Sequence, residues 1–202
     1  MSGLAPAGRR ATGRAELDVD ADSLLGMSIL LGAWVMLFAA LFFAYGVVRA
    51  QSSEWPPFAA PRLPRVAPGL NTLLLLGSSA TLRRGLVAAR RRGEGAISGA
   101  ALVVTLVLGV GFLAAQIALW TMMRARGLFP GSGIYGSVFF AFTGFHALHV
   151  LGGLVALAAI GINAVLHRND AVGSLRAVRL TALYWDFIAI IWVLMYLAIY
   201  LL

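Results

Sequence analysis

The chain has 202 residues, no cysteine, 60% hydrophobic residues and only 12% charged residues, and its mean hydropathy is +0.88. This composition excludes a soluble globular domain, and the absence of cysteine excludes disulfide-stapled, iron–sulfur and thiol-based proteins. A formal charge of +8 would indicate a nucleic-acid partner in a soluble protein, but all sixteen cations are arginines, most of which lie between long apolar runs. That distribution is typical of membrane topology signals, so we expect no nucleic-acid partner.

Five long runs with few or no charges follow one another along the chain. Because about 20 apolar residues span a hydrocarbon core of roughly 30 Å, we predict an all-α integral membrane bundle of five transmembrane helices. Arg83 and Arg84 interrupt the second run, but long arginine side chains reach the interface while the helix continues. The predicted helices cover residues 24–49, 68–90, 96–123, 134–166 and 178–202, after a cytoplasmic, disordered or interfacial tail at 1–22.

The arginines are distributed unevenly between the two sides of this bundle. One side carries eleven of them: Arg9, Arg10, Arg14, Arg83, Arg84, Arg90, Arg91, Arg92, Arg168, Arg176 and Arg179. The other side carries five: Arg49, Arg62, Arg65, Arg124 and Arg126. The positive-inside rule therefore predicts a cytoplasmic N-terminus and a C-terminus on the external side.

The connection between the first and second helices is rich in proline. Five of the chain's seven prolines lie between Gln51 and Pro68, which predicts a stiff, extended external loop. Such a loop lies along a neighbouring protein at little entropic cost, or it serves as a plain spacer between helices.

Polar side chains within the predicted spans are few, and the bilayer penalises each of them. Asn71, Ser78 and Ser79 follow the spacing i, i+7 and i+8, so they share one face of the second helix. Small polar residues on one face let helices approach closely and hydrogen-bond to each other. We expect these three residues to serve helix packing.

His146 and His149 share a face of the fourth helix and could present two ring nitrogens to one metal ion. A specific metal site needs at least a third ligand, and the intramembrane sequence offers only Asp186. We therefore expect structural, hydrogen-bonded histidines and neither a metal nor a haem bound by this chain.

Asp186 is the only acid within the predicted spans. At 1.5 Å per residue, His149 lies about 21 Å from the external interface and Asp186 about 9 Å from the cytoplasmic one, which is the same level of a core of roughly 30 Å. We predict that the two side chains form a hydrogen-bonded pair. The alternatives are a snorkelling arginine, a partner protein, or the Trp185 and Trp192 face of the same helix.

Trp55 on the external side and Arg83 and Arg84 on the cytoplasmic side are candidates for phospholipid binding. Tryptophan is enriched at membrane interfaces, and guanidinium groups bind phosphate. The alternative is ordinary interfacial anchoring of the helices.

Several short motifs, in this order, resemble subunit III of haem–copper terminal oxidases in its short, five-helix bacterial form. The resemblance covers about residues 24–202, and its most specific part is the string TGFHALHV. The motifs are FFAY (42–45), WPP (55–57), LNT (70–72), GIYGSVFF (133–140), TGFHALHV (143–150) and YWDF (184–187).

The resemblance implies an accessory subunit of the respiratory chain in the bacterial cytoplasmic membrane. Such a subunit binds no haem or copper and packs on the catalytic subunit I, in a complex that also contains subunit II. It holds phospholipid and supports oxygen reduction coupled to proton translocation. By itself it is not an enzyme.

The sequence departs from the family pattern where the family has intramembrane acids. Trp34 and Leu119 stand where the family usually has glutamates. In the last helix, Asp186 replaces the typical histidine and Ala189 the typical aspartate. The resemblance therefore favours a scaffold and lipid-binding role over a proton-handling one.

Two other functions fit parts of the same sequence. A related subunit accompanies nitric oxide reductase, with similar helices and similar losses of carboxylates. An independent small transporter or channel would need polar groups along a path through the membrane, and here the spans offer Asp186, two histidines and a few hydroxyl groups.

Overall fold

The computed structural model describes residues 7–58, 60–94, 97–166 and 171–201. These residues form five long helices and, in the described part, no strand, which confirms the predicted all-α fold. The helices are α1 (Ala7–Gln51), α2 (Val66–Arg92), α3 (Gly99–Ala125), α4 (Ile134–Leu166) and α5 (Ala171–Tyr196), and α5 continues into one π-helical turn, Leu197–Leu201.

Four of the five helices contain a stretch long and apolar enough to cross a membrane. These stretches are Ala21–Gln51, Gly99–Ala125, Ile134–Asn163 and Leu175–Leu201. The remaining helix, α2, has sufficient length, but its arginines and polar residues lower its hydropathy. The chain is therefore a multi-pass membrane protein, and composition alone identifies four spans among its described residues, one fewer than predicted.

The first helix begins earlier than the apolar pattern indicates. It starts at Ala7, whereas the prediction placed its start at residue 24. Alanine and arginine are strong helix formers, so a helix can continue beyond the apolar stretch. The expected tail at residues 1–22 thus overlaps α1 from Ala7 onward, and residues 1–6 lie outside the described residues.

Glycines end the second and third helices. Gly93 and Gly127 have φ values of 65° and 87°, a conformation that glycine adopts without a steric penalty. After each glycine, the next N–H bonds back to a carbonyl five residues earlier: Glu94 to Ala89 at 2.9 Å and Leu128 to Met123 at 3.0 Å. Both ends are Schellman motifs, which satisfy carbonyls that the helix leaves unpaired.

The bundle is built around α5, which packs against α1, α2 and α4, while α3 packs between α2 and α4. At its centre is Trp185, which is fully buried. A methyl group built on Gly153 of α4 would lie 2.6 Å from two ring carbons of Trp185, and one built on Gly109 of α3 would lie 3.0 Å away. The two glycines therefore make room for the indole.

The first helix lies at the periphery. Only 6% of its most apolar stretch is buried, against 33% in α3, 44% in α4 and 39% in α5. Its inner face carries the buried Phe38 and Tyr45. The large apolar side chains that it exposes are Leu25, Ile29, Leu30, Val35, Met36, Phe43 and Val47.

The packing of Trp185 predicts different effects for two adjacent glycines. We expect Gly153→Ala to destabilise the protein by about 1–3 kcal/mol, because the methyl group has no room beside the indole. Gly152→Ala is the matched control, since its methyl group would meet only the Tyr184 hydroxyl, at 3.7 Å. Thermal unfolding of the detergent-solubilised variants measures the difference, and equal midpoints would contradict this packing.

Candidate functional site

The partly buried carboxylate of Asp186 lies between two residues of α2. It accepts a hydrogen bond from Ser79 Oγ and forms an ion pair with Arg83, whose Nε and Nη2 both reach Oδ2. The Asp186 side chain is 14% exposed and that of Arg83 is 63% exposed. The guanidinium thus extends toward the surface while it neutralises a carboxylate within the bundle.

The predicted pair of Asp186 and His149 is wrong, and the arginine alternative holds. Asp186 faces α2, whereas His149 faces α1, where its ring lies edge-on to Trp34 with centroids 4.0 Å apart. Matching depth along two helices does not specify the direction in which each side chain points about its helix axis.

Both histidines are enclosed by aromatic rings. His149 Nδ1 lies 2.6 Å from the carbonyl oxygen of Phe145 and donates to it, since a carbonyl can only accept. The ring of His146 packs against those of Trp192 and Phe112, with centroid separations of 5.0 and 5.8 Å. Neither ring nitrogen of His146 has a hydrogen-bond partner among the described residues, so a hydrogen-bonded role for His146 stays a prediction.

The histidines do not belong to a metal-binding cluster in the described part of the chain. Within those residues, no three His, Cys, Asp or Glu side chains come together. A specific metal site requires at least a third ligand. Among the described residues, the two histidines have no such ligand beside them.

The buried polar face of α2 holds α3 and α5. Ser78 Oγ donates to the Thr105 carbonyl of α3 at 2.8 Å and accepts from Trp185 Nε1 at 3.1 Å. Seven residues along α5, Trp192 Nε1 donates to Thr72 Oγ1 at 2.9 Å. Each indole therefore satisfies its N–H inside the bundle, where an unpaired donor would be costly.

A buried amide pair adds a residue that the sequence analysis did not select. Asn71 Nδ2 lies 3.5 Å from Gln116 Oε1 of α3, and both side chains are buried. Gln116 is the only amide side chain in the apolar run of α3. A single amide in an apolar run was the sequence feature that could have identified this residue. The remaining polar atoms, Asn71 Oδ1 and Gln116 Nε2, have no partner within the described ranges.

The two groups proposed for lipid contact lie at opposite ends of α2. Trp55 lines a cavity beside Arg62, Arg65 and Tyr135. Arg83 and Arg84 line a separate open groove together with Arg91 and Arg92. The cavity and the groove are distinct, so the candidates do not form one site.

The ion pair predicts that two neighbouring arginines differ in importance. We expect Arg83→Gln to lower the thermal unfolding midpoint, because it leaves the Asp186 carboxylate in the bundle without its cation. Arg84→Gln removes the same charge from an exposed arginine that has no carboxylate partner in the described part of the chain. The double variant Arg83→Gln/Asp186→Asn should recover part of the loss. A midpoint for Arg83→Gln equal to that of Arg84→Gln would contradict the role of the pair.

Comparison with known proteins places the chain in one family. Residues 9–202 match the family model described as cytochrome c oxidase subunit III. Cytochrome c oxidase subunit 3 of Synechocystis is 30% identical over 89% of this chain and 75% of its own length. A protein named "Probable cytochrome c oxidase subunit 3" from Mycobacterium leprae is 32% identical over 87% of this chain and 86% of its own length. Cytochrome c oxidase subunit 3 of Scyliorhinus canicula is 34% identical over 87% of this chain and 67% of its own length. The chain therefore belongs to the cytochrome c oxidase subunit III family.

Proposed function

We propose that this chain is the non-catalytic third subunit of a bacterial cytochrome c oxidase, packed on the catalytic subunit I in a complex that also contains subunit II. The observation that carries the proposal is the family match over residues 9–202. The relatives described above are named as subunits of cytochrome c oxidase, which favours an oxidase over the nitric oxide reductase complex. None of the relatives described above is named as a transporter.

The exposed face of α1 is the surface that we assign to a partner subunit. Leu25, Ile29, Met36, Phe43 and Val47 recur at helical spacing on one side of α1, and all are exposed. Gly32 lies on the same side, and a methyl group added to it would meet no atom within 4 Å. Because α1 buries little of its surface in its own bundle, its outer side is open to another protein. A glycine on that side lets a helix of the other protein pack closely.

We also propose that α2 is the fifth membrane span. Its apolar half, including Leu75 and Leu82, is buried against the other helices. Arg83 is paired with Asp186, which reduces the cost of placing an arginine near the membrane. Five spans put the termini on opposite sides, and the arginine distribution favours a cytoplasmic N-terminus and an external C-terminus.

The contacts of Asp186 support a structural role over a proton-carrying one. Its carboxylate is held by Arg83 and Ser79, so it joins α5 to α2. A proton relay needs a continuing chain of titratable groups, whereas Trp34, Leu119 and Ala189 occupy the positions where the family places acids. The subunit would thus support oxygen reduction and proton translocation through the stability of the complex and its bound lipid.

Purification through a tag on this chain tests the proposal. In mild detergent we expect haem absorbance to follow the tag, together with the catalytic subunit identified by mass spectrometry. A colourless, monodisperse protein without partner subunits would contradict the function.

A glycine variant in the same experiment tests the assigned face. We expect Gly32→Leu to reduce the haem that co-purifies per chain by about tenfold, which corresponds to roughly 1.4 kcal/mol of lost association energy. The thermal stability of the chain itself should stay unchanged, since the site is open in the bundle. Gly144→Leu on α4 is the control, because a methyl group there also meets nothing within 4 Å. Equal haem content in the two variants would contradict the assignment.

A further inference from the structure

Three buried polar side chains from different parts of the chain meet near the end of α5. Asn71 comes from the second turn of α2, Gln116 from α3 and Tyr200 from the π-helical turn after α5. Their exposed fractions are only 3%, 1% and 4%. We call these three residues the amide–tyrosine cluster.

The Gln116 amide lies at the centre of the amide–tyrosine cluster. Asn71 Nδ2 lies 3.5 Å from Gln116 Oε1. The Tyr200 hydroxyl faces the Gln116 side chain without completing a hydrogen bond to it. Tyr200 also packs in one apolar cluster with Leu119, which lies one turn further along α3. Two helices and the π-helical turn therefore bring polar groups to the same amide.

Three polar atoms of this cluster are unpaired in the described part of the chain. They are Asn71 Oδ1, Gln116 Nε2 and the Tyr200 hydroxyl oxygen. A buried polar atom without a hydrogen bond is destabilising, and proteins pair nearly all such atoms with protein groups or with bound water. Three of them around one amide thus indicate a site for a small polar molecule.

The chemistry of these atoms selects the kind of molecule. Asn71 Oδ1 can only accept a hydrogen bond, Gln116 Nε2 can only donate one, and the Tyr200 hydroxyl can do both. A metal cation would face the N–H donor, and an anion would face the carbonyl acceptor. Exchanging the oxygen and nitrogen of both amides changes nothing, because the contact between them still leaves one donor and one acceptor. The site therefore fits a small neutral molecule that both donates and accepts.

Tyr200 also connects the cluster to a cavity at the surface. It is one of the residues that line the cavity of about 450 Å³ beside Trp55. Arg62 and Arg65 line the same cavity, and guanidinium groups keep their charged ends in water. Water in the cavity is thus one side chain away from Gln116.

We propose that the amide–tyrosine cluster binds one internal water molecule. The water accepts a hydrogen bond from the Gln116 amide, donates one to the Asn71 carbonyl oxygen and forms a third with the Tyr200 hydroxyl. Three hydrogen bonds are typical of a buried water. The water joins α2 and α3 to the π-helical turn, and it reaches this place from the cavity. The inference goes beyond the proposed function and does not depend on partner subunits.

A cryo-electron microscopy map tests the site, provided that it resolves ordered water. The sample is the tagged full-length chain with the subunits that accompany it. We expect density about 2.7–3.2 Å from the Asn71 and Gln116 amides and from the Tyr200 hydroxyl. Density about 2.3–2.6 Å from these groups would assign a metal cation and overturn the water. A direct hydrogen bond from Tyr200 to Gln116, without density between the three groups, would overturn the site.

Removal of the Gln116 amide tests the assigned ligands. Gln116→Met keeps a side chain of similar length but removes the amide, so we expect the water density to be lost. Gln51→Met is the matched control, because it replaces the other glutamine of the chain, which is exposed at the end of α1. The density should be unchanged in this control. Water density retained in Gln116→Met would contradict the proposal.

A milder variant covers the case in which Gln116→Met does not assemble. Tyr200→Phe removes one hydroxyl and keeps the ring, so the water loses one of its three partners and its density should be lost. Tyr196→Phe is the control, since the Tyr196 hydroxyl donates to the Arg65 carbonyl at 3.2 Å and lies outside the cluster. Equal density in Tyr200→Phe and Tyr196→Phe would contradict the proposal. Haem absorbance of the same samples reports assembly with the oxidase, so a colourless sample that shows the water would contradict the proposed function alone.

Discussion

Trp185 connects more of this bundle than any other contact described above, because a single indole touches three neighbouring helices. Its Nε1–H donates to Ser78 of α2, and its ring fills the space left by Gly109 of α3 and Gly153 of α4. In lipid, apolar burial does not drive helices together, so close packing and interhelical hydrogen bonds must do so. Trp185 supplies both from the central helix.

Other polar side chains of α2 extend the same arrangement along its length. Thr72 accepts from Trp192, and Ser79 and Arg83 hold Asp186. These polar side chains, which the bilayer penalises, thus form hydrogen bonds and an ion pair between α2 and α5. This use is consistent with an accessory subunit whose contribution is a stable shape. The exposed face of α1 is the surface that we propose for contact with a partner subunit.

Periodicity and hydropathy in the sequence were sufficient to predict the all-α fold and its five long helices. Most predicted helix ends lie within three residues of the observed ones. The start of α1 differs because alanine and arginine continue the helix beyond the apolar stretch, and α5 begins at Ala171, seven residues before its predicted start. The common face of Asn71 and Ser78 followed from helical spacing, and both are buried. The partner of Asp186 did not follow, because matching depths leave the rotation of each helix undetermined, and α5 turns this carboxylate toward α2.

The cavity that Trp55 lines could not be predicted for a different reason. Its donors come from Trp55, two loop arginines and Tyr135, which are separated by up to eighty positions in the sequence. Each of these residues alone is typical of an interfacial anchor. Only the folding of the loop onto α4 and the end of α5 brings them around one space.

The coupling between Ser78 and Trp185 is the most direct test of the claim that indole–hydroxyl contacts hold α5 on α2. A double-mutant cycle with Ser78→Ala, Trp185→Phe and the combined variant, followed by reversible unfolding in detergent, isolates that contact. The account predicts a favourable coupling energy between about 0.6 and 1.7 kcal/mol, the average and the largest value for hydrogen bonds between membrane helices. Strictly additive effects of the two substitutions would contradict it.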